Sequence, residues 1–178
     1  TGIRITRTAA GTVPSTPSAS APISPASTHT ASTSSEKAFI ARRTELPATA
    51  DIRIDYNQGL EPWDALGKLR EMERFRPTFI EQPVPRDQRH AMAAITAALD
   101  TPIMADESVF DHHDATRLID AGACDYVNIK FAKSGGILGA IKINSACEIR
   151  GIPCMMGGML ESRVALTAFA HFATANDN

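Results

Sequence analysis

Four apolar segments of this sequence each end in an ionisable residue, and they recur at a nearly constant interval. The residues are Asp55, Glu81, Asp106 and Lys130, and the intervals between them are 26, 25 and 24 residues. Each interval has room for a strand, a helix and short connections, so one βα unit is predicted between successive residues. Strict alternation of strands and helices favours right-handed crossovers and a parallel sheet. The sequence therefore predicts an α/β fold.

Hydrophobic periodicity places the individual elements. Ile52 and Ile54 alternate with polar residues, a period of two that is typical of a half-buried strand. Further strands are predicted at residues 78–81, 102–106, 126–130 and 152–156. Helices with one apolar face are predicted after each strand, the first from near Pro62 with Trp63 on its buried face, the last over 164–175. This pattern indicates a partial (β/α)8 barrel of the TIM type with about five βα units.

The strand ends carry the candidate chemistry. In a parallel barrel all carboxyl ends open on one face, where the active site lies. Side-chain alternation places Arg53, Asp55 and Asn57 on the inner side, and Asn128 on the same side of its strand as Lys130. Carboxylates that converge on one mouth repel each other, and a hard cation such as Mg²⁺ or Mn²⁺ removes that cost. Zinc is not expected, because no His or Cys lies at these strand ends.

Lys130 admits two interpretations at this point. Beside a divalent cation the pKa of its ammonium group would fall toward neutrality, as a general base requires. A lysine at a barrel mouth also forms the Schiff base of an aldolase. A single acid at a strand end is often only a helix N-cap or a solvated loop residue. The metal hypothesis therefore depends on the whole set of strand ends.

The first part of the chain has a different composition. Of the 28 residues from Thr8 to Ser35, 24 are Ser, Thr, Ala or Pro, and none is acidic or aromatic. Such a segment cannot bury enough apolar surface to offset the entropy of ordering it. We expect a disordered tail over residues 1–47 and a barrel domain over 48–178. An organellar transit peptide is the alternative for the tail, because Arg4 and Arg7 precede the first acidic residue.

Charge and composition exclude several classes of partner. The chain has 18 Lys and Arg against 20 Asp and Glu, a net charge of −2, which argues against a nucleic-acid binder that works by phosphate neutralisation. No apolar run approaches the ~18 residues of a membrane span. The three cysteines form no C-x-x-C pair and are expected to be buried thiols in a reducing, cytoplasmic compartment. A small-molecule carboxylate substrate and a homo-oligomer are expected instead, from the family resemblance given below.

Several motifs resemble the enolase superfamily, and within it the muconate-lactonizing (mandelate racemase and muconate cycloisomerase) subgroup, which includes the dipeptide epimerases. The resemblance covers about residues 51–175. The motifs that carry it are Asp55-Tyr-Asn57-Gln-Gly, Ile80-Glu81-Gln-Pro83, Ala105-Asp106-Glu107-Ser108, Asn128-Ile-Lys130-Phe-Ala-Lys133-Ser-Gly-Gly and Gly157-Gly-Met-Leu-Glu161-Ser.

The resemblance implies a reaction and roles for individual residues. The family abstracts a proton α to a carboxylate, and Mg²⁺ stabilises the enediolate. Reprotonation gives epimerisation, whereas loss of a leaving group gives elimination or cycloisomerisation. The implied roles are Mg²⁺ binding for Asp55, Glu81 and Asp106, acid/base catalysis for Lys130, orientation of these groups for Asn57 and Glu107, and proximity to the ligands or the substrate for Lys133 and Glu161.

The sequence also departs from the family pattern. The family's Lys-x-Lys, the opposite acid/base motif, does not occur in the 178 residues. The capping domain, barrel strands one and two, and strand eight with its Asp-x-Asp have no counterpart, so the chain is expected to supply strands three to seven. Three interpretations follow: a Mg²⁺-dependent epimerase or cycloisomerase of doubtful activity, a truncated fragment without catalytic competence, and an acid-sugar or amino-acid dehydratase, which is a lyase.

Overall fold

The computed structural model describes Pro47 and residues 50–178. The tail predicted over residues 1–47 lies, apart from Pro47, outside the described residues. The described part contains five strands and six helices, with one helix after each strand except β4, which two helices follow. In chain order they are β1 Arg53–Asp55, α1 Ala65–Glu73, β2 Phe79–Glu81, α2 Arg89–Ala98, β3 Ile103–Ala105, α3 His112–Asp120, β4 Tyr126–Ile129, α4 Phe131–Ser134, α5 Ile137–Glu148, β5 Cys154–Met156 and α6 Arg163–Ala175.

The strands form one parallel sheet in the order β1-β2-β3-β4-β5. Ile54 is level with Ile80, and Val127 is level with Cys154. Each strand therefore pairs with the next one along the chain, as repeated βα units require. The sheet curls into a half-barrel, and the prediction of a partial TIM-type barrel with five βα units is confirmed.

The core lies between the outer face of the sheet and the helices. Ile54, Ile80 and Val127 are fully buried on the strands, and Leu69 and Met92 are fully buried on α1 and α2. Burying one such side chain contributes roughly 1.5–3 kcal/mol. Every residue of β2 and β3 is buried, as expected where both faces of a strand are covered, whereas β1 and β5 are partly exposed. The ionisable residues therefore follow the strands at their carboxyl ends, where the apolar runs stop.

Two helices differ from the prediction. Helix α1 begins at Ala65 rather than near Pro62, and Trp63, which was expected on its buried face, precedes the helix and is 82% exposed. The short helix α4 was not predicted, because four residues are too few to show a helical period. It ends at Gly135, whose φ of 71° is left-handed, and Gly136 then begins the turn into α5.

The curl of the sheet brings its first and last strands within reach of one side chain. Arg53 on β1 donates a hydrogen bond from Nη1 to the Sδ of Met155 on β5, at 3.8 Å. Its guanidinium carbon also lies 5.2 Å from the ring centroid of Phe79 on β2. Arg53 is ion-paired with Asp51 at 2.9 Å. This side chain therefore crosses the inner face of the half-barrel.

Candidate active site

A cavity of about 240 Å³ opens on the inner face of the sheet, toward the carboxyl ends of the strands. Three residues that the sequence predicts for the site, Asp55, Glu81 and Lys130, line it together. Its other lining residues are Arg53, Ile54, Phe79, Asn128, Met155, Gly157 and Gly158. Asp106 is only 1% exposed and is not a lining residue, but its carboxylate contacts the Lys130 ammonium group. The topology thus brings strand ends that are far apart in sequence to one mouth.

Asp55 and Glu81 are the carboxylates that line the cavity, and within the described residues neither forms an ion pair with a basic side chain. Burial raises the pKa of Glu81 to about 7, and the nearby charge of Asp55 adds to this rise. Burial also raises the pKa of Asp55, against the hydrogen bonds that Asn57 donates. These bonds run from the Asn57 main-chain N–H at 2.9 Å and from its Nδ2 at 2.7 Å. The negative charge of Asp55 and Glu81 is therefore poorly compensated.

Asp106 has the opposite environment. Lys130 Nζ donates to Asp106 Oδ2, and Lys133 Nζ donates to Asp106 Oδ1 and to its main-chain oxygen. Burial alone would raise the pKa of Asp106, but the charges and hydrogen bonds of Lys133 and Lys130 outweigh it and lower that pKa. Burial dominates at Lys133, whose pKa is lowered. Asp106 is thus held as a carboxylate between two ammonium groups.

The pKa of Lys130 is set here by groups of the chain itself, whereas the fall expected from the sequence concerns a lysine beside a divalent cation. Burial lowers it, but the hydrogen bond and charge of Asp106 outweigh burial, and the pKa of Lys130 is raised. The expectation assumed a cation as the dominant neighbour of the lysine. In the structure the dominant neighbour is a carboxylate, which stabilises the ammonium form.

The remaining predicted residues lie around this centre without lining the cavity. Asn57, with a positive φ of 43°, holds the Asp55 carboxylate. Glu107 is partly buried, and its Oε2 has no hydrogen-bond partner. Lys133 lies under Asp106 and also donates to the main-chain oxygen of Asn128, at 3.1 Å. Glu161 accepts a hydrogen bond from the main-chain N–H of Met159 at 2.5 Å, in the loop that follows β5.

The donor chemistry fits a hard divalent cation. Asp55, Glu81 and Asp106 are near enough for each charge to act on Glu81, and neither His nor Cys lines the cavity. Within Pro47 and residues 50–178, however, no three His, Cys, Asp or Glu side chains are clustered closely enough to hold a metal ion. Both carboxylate oxygens of Asp106 accept lysine hydrogen bonds, so Asp55 and Glu81 are the carboxylates that remain available.

Three residues of the site were not singled out from the sequence. Asn128 donates from Nδ2 to Glu81 Oε1 at 2.6 Å, Gly157 packs against the Asn128 amide, and Arg53 lies at the cavity wall. Strand alternation already placed Arg53 and Asn128 on the inner face. It gave no sign of their contacts, which depend on how tightly the sheet curls.

Comparison of the sequence with known protein families gives one match over most of the chain. Residues 28–178 match the family described as enolase C-terminal domain-like. The chain belongs to this family. No helix in the described part of this enolase-type chain is both long and apolar enough to cross a membrane.

Individual relatives of this enolase-type chain are epimerases and cycloisomerases. The L-Ala-D/L-Glu epimerase of Bacillus subtilis is 41% identical over 138 residues, which are 76% of this chain and 38% of the relative. The dipeptide epimerase of Cytophaga hutchinsonii, solved with Mg and the dipeptide D-Ala-L-Val, superposes with a TM-score of 0.74 at 39% identity, over 76% of this chain and 37% of its own. A muconate cycloisomerase from Azorhizobium caulinodans gives a TM-score of 0.73 at 40% identity, over 79% and 39%. The chain thus spans less than two fifths of each.

Proposed function

We propose that this chain carries the metal-binding face and one acid/base of a Mg²⁺-dependent isomerase, an epimerase or cycloisomerase that abstracts the proton α to a carboxylate. One observation carries the proposal: Asp55, Glu81 and Lys130 line one cavity at the carboxyl ends of parallel strands. The epimerase and cycloisomerase relatives support the reaction class. Because several relatives are dipeptide epimerases, we propose a dipeptide or an N-acylamino acid as the substrate class.

Each residue has a defined part in this mechanism. Asp55 and Glu81 would hold Mg²⁺ directly, and Asp106 would become the third ligand through the oxygen that Lys133 now occupies. The ion, when bound, would supply positive charge against the negative charge that develops on the substrate carboxylate. Lys130 Nζ removes or returns the α-proton, and Asp106 holds that nitrogen in place through a hydrogen bond. Asn57 fixes the Asp55 carboxylate from the solvent side. Arg53 and Phe79 line the same cavity and contact each other, with 5.2 Å between the guanidinium carbon and the ring centroid.

A one-base reaction is the second candidate. Lys130 is the single lysine among the cavity-lining residues of the described chain. Epimerisation by proton transfer between two faces requires a second acid/base group opposite Lys130, whereas an elimination requires only one. A dehydratase activity on an acid sugar or amino acid would therefore need no group beyond those described. The third candidate is a chain that binds Mg²⁺ but has no catalytic turnover.

Deuterium exchange at the α-carbon separates these outcomes, because exchange needs one base whether or not product forms. The chain is incubated in D₂O with Mg²⁺ and a panel of dipeptides, and deuterium incorporation and product are followed by NMR. Exchange that is abolished by Lys130→Ala and retained by Lys142→Ala, a change of an exposed lysine on α5, supports the proposal. Exchange unaffected by Lys130→Ala would remove Lys130 from the mechanism. Loss of water without epimerisation would favour the lyase.

A further inference from the structure

The Asn128 side chain is oriented by its contact with Glu81. Its amide is 2% exposed, and Nδ2 donates to Glu81 Oε1 at 2.6 Å. The NH₂ end of the amide thus faces Glu81, and the Oδ1 end faces residue 157. The opposite end, Oδ1, is buried and has no hydrogen-bond partner. Leaving a buried carbonyl oxygen unpaired is unfavourable, so besides the hydrogen bond to Glu81 this orientation requires a feature that leaves room for the Oδ1 end.

Gly157 is that feature. A Cβ atom at residue 157 would lie 2.2 Å from Asn128 Oδ1 and 2.7 Å from Nδ2, far inside van der Waals contact. The backbone does not require glycine there, because Gly157 is not among the glycines with positive φ, which are Gly122, Gly135, Gly136 and Gly151. Glycine at this position therefore serves to leave space for the Asn128 amide.

The main chain holds both partners of this contact. The N–H of Gly157 donates to the main-chain oxygen of Ile129 at 2.8 Å, which ties the loop after β5 to β4 beside Asn128. Lys133 Nζ donates to the main-chain oxygen of Asn128 from the other side. Asn128 then reaches from β4 past β3 to Glu81 on β2. Two strands, β4 and β2, and the loop after β5 thus meet at a single amide.

We propose that Gly157 is a positioning residue that acts through Asn128. The absence of a side chain at residue 157 leaves room for the Asn128 amide, and this amide in turn holds the Glu81 carboxylate at the cavity. The inference rests on the proposed function in one respect, that Glu81 is a Mg²⁺ ligand. Asn128 and Gly157 are then a coupled pair, and a change in either one displaces the same carboxylate.

A double-mutant cycle tests the coupling. The variants are Gly157→Ala, Asn128→Ser, which removes the amide that the new methyl group would strike, and the double substitution. Gly67→Ala is the matched control, because a Cβ on this exposed turn of α1 meets nothing within 4 Å. Each variant is melted without metal and then titrated calorimetrically with Mg²⁺ alone.

We expect each single substitution to lower Mg²⁺ affinity by about tenfold or more, as loss of a partner that orients a metal ligand does. Gly157→Ala should add no further loss of melting temperature or Mg²⁺ affinity when Asn128 is already serine, and Gly67→Ala should retain wild-type affinity. If Gly157→Ala alone fails to fold, a folded double variant supports the proposal, and an unfolded one overturns it.

The remaining outcomes distinguish failure of the inference from failure of the proposed function. Additive effects of the two substitutions in the melt, or wild-type Mg²⁺ affinity in Gly157→Ala, would overturn the inference while Mg²⁺ binding by the wild type stands. If the wild type itself does not bind Mg²⁺, the proposed function fails. In that case the metal-free melt alone tests the inference. Non-additive effects of the two substitutions on the melting temperature would support it, and additive effects would overturn it.

Discussion

At the scale of single residues, the three carboxylates of the site differ in whether a neighbouring lysine balances their negative charge. Asp106 accepts hydrogen bonds from two lysines, whereas Asp55 and Glu81 form no ion pair with any basic residue in the part of the chain that the structure describes. The sequence predicted that these three acids would meet at one mouth, because their spacing follows the βα repeat. It could not predict which acid the lysines would pair with, since that depends on side-chain rotamers inside the curl.

Lys133→Met should strongly destabilise the chain. The Lys133 side chain is 7% exposed and that of Asp106 is 1% exposed, so the substitution leaves a buried carboxylate with one cation fewer. Removing one partner of a buried pair costs about 3–5 kcal/mol. The matched control is Lys68→Met, which breaks the exposed pair with Asp64 on α1 and should cost about 0–1 kcal/mol. Urea unfolding of both variants measures the difference, and equal losses would show that Lys133 does not stabilise Asp106.

Glu81→Gln should change metal-free stability and Mg²⁺ binding in opposite directions. Burial and the charge of Asp55 both disfavour the Glu81 carboxylate, so a neutral side chain of the same shape should raise the melting temperature without metal. The same change removes a proposed ligand and should abolish the rise in melting temperature that Mg²⁺ causes by linkage. Glu148→Gln, on the exposed face of α5, is the control and should retain the response. An undiminished response in Glu81→Gln would exclude Glu81 as a ligand.

At the scale of helices and strands, periodicity predicted most elements, and the errors fall at their ends. The buried residues of α3, Ala115 and Leu118, have the expected helical spacing. The start of α1 was misplaced, because Trp63 matches that spacing although residues 62–64 form turns. Helix starts depend on capping contacts as well as on apolar period, and those contacts are visible only in the structure.

Asp111 caps α3, and its contribution to stability should depend on pH. Its carboxylate accepts a hydrogen bond from the Asp114 N–H at 2.8 Å, and this bond, with smaller contributions from His113 and Arg117, lowers the pKa of Asp111 below its ordinary value of 3.8. A group whose pKa is lowered by folding stabilises the native state above its unfolded pKa, and that stabilisation is lost as pH falls through the folded value. Asp111→Ala should therefore cost about 1 kcal/mol near neutral pH and much less in strong acid.

The N-cap of α6 supplies the control for this pH dependence. Ser162 accepts a hydrogen bond from the Ala165 N–H at 3.3 Å through an uncharged hydroxyl. Ser162→Ala should thus destabilise the chain by an amount that does not change between neutral and acid pH. Urea unfolding of both variants at the two pH values measures the contrast. If Asp111→Ala lowers the free energy of unfolding as much in acid as at neutral pH, the carboxylate charge does not account for the stabilisation by this N-cap.

At the scale of the whole molecule, the order of strands followed from the repeat, whereas the curvature of the sheet did not. Alternating βα units fix the order β1-β2-β3-β4-β5 and the parallel direction. Curvature depends on which side chains fill the inner face, and there Arg53 on β1 contacts Met155 on β5, 102 residues away. No local pattern in a sequence reports a contact of that range.

Arg53→Ala should loosen both edge strands of the described sheet at once. The side chain contributes a cation–π contact with Phe79, an ion pair with Asp51 and the hydrogen bond to Met155. Since the ion pair and the cation–π contact are partly exposed, we expect a loss of about 1–2 kcal/mol. Amide hydrogen exchange should become faster in β5 as well as in β1, because one side chain joins the two strands across the interior. Arg70→Ala, on the exposed face of α1, is the control and should leave β5 unchanged. Faster exchange confined to β1 would show that the Arg53–Met155 contact does not hold the sheet in its curl.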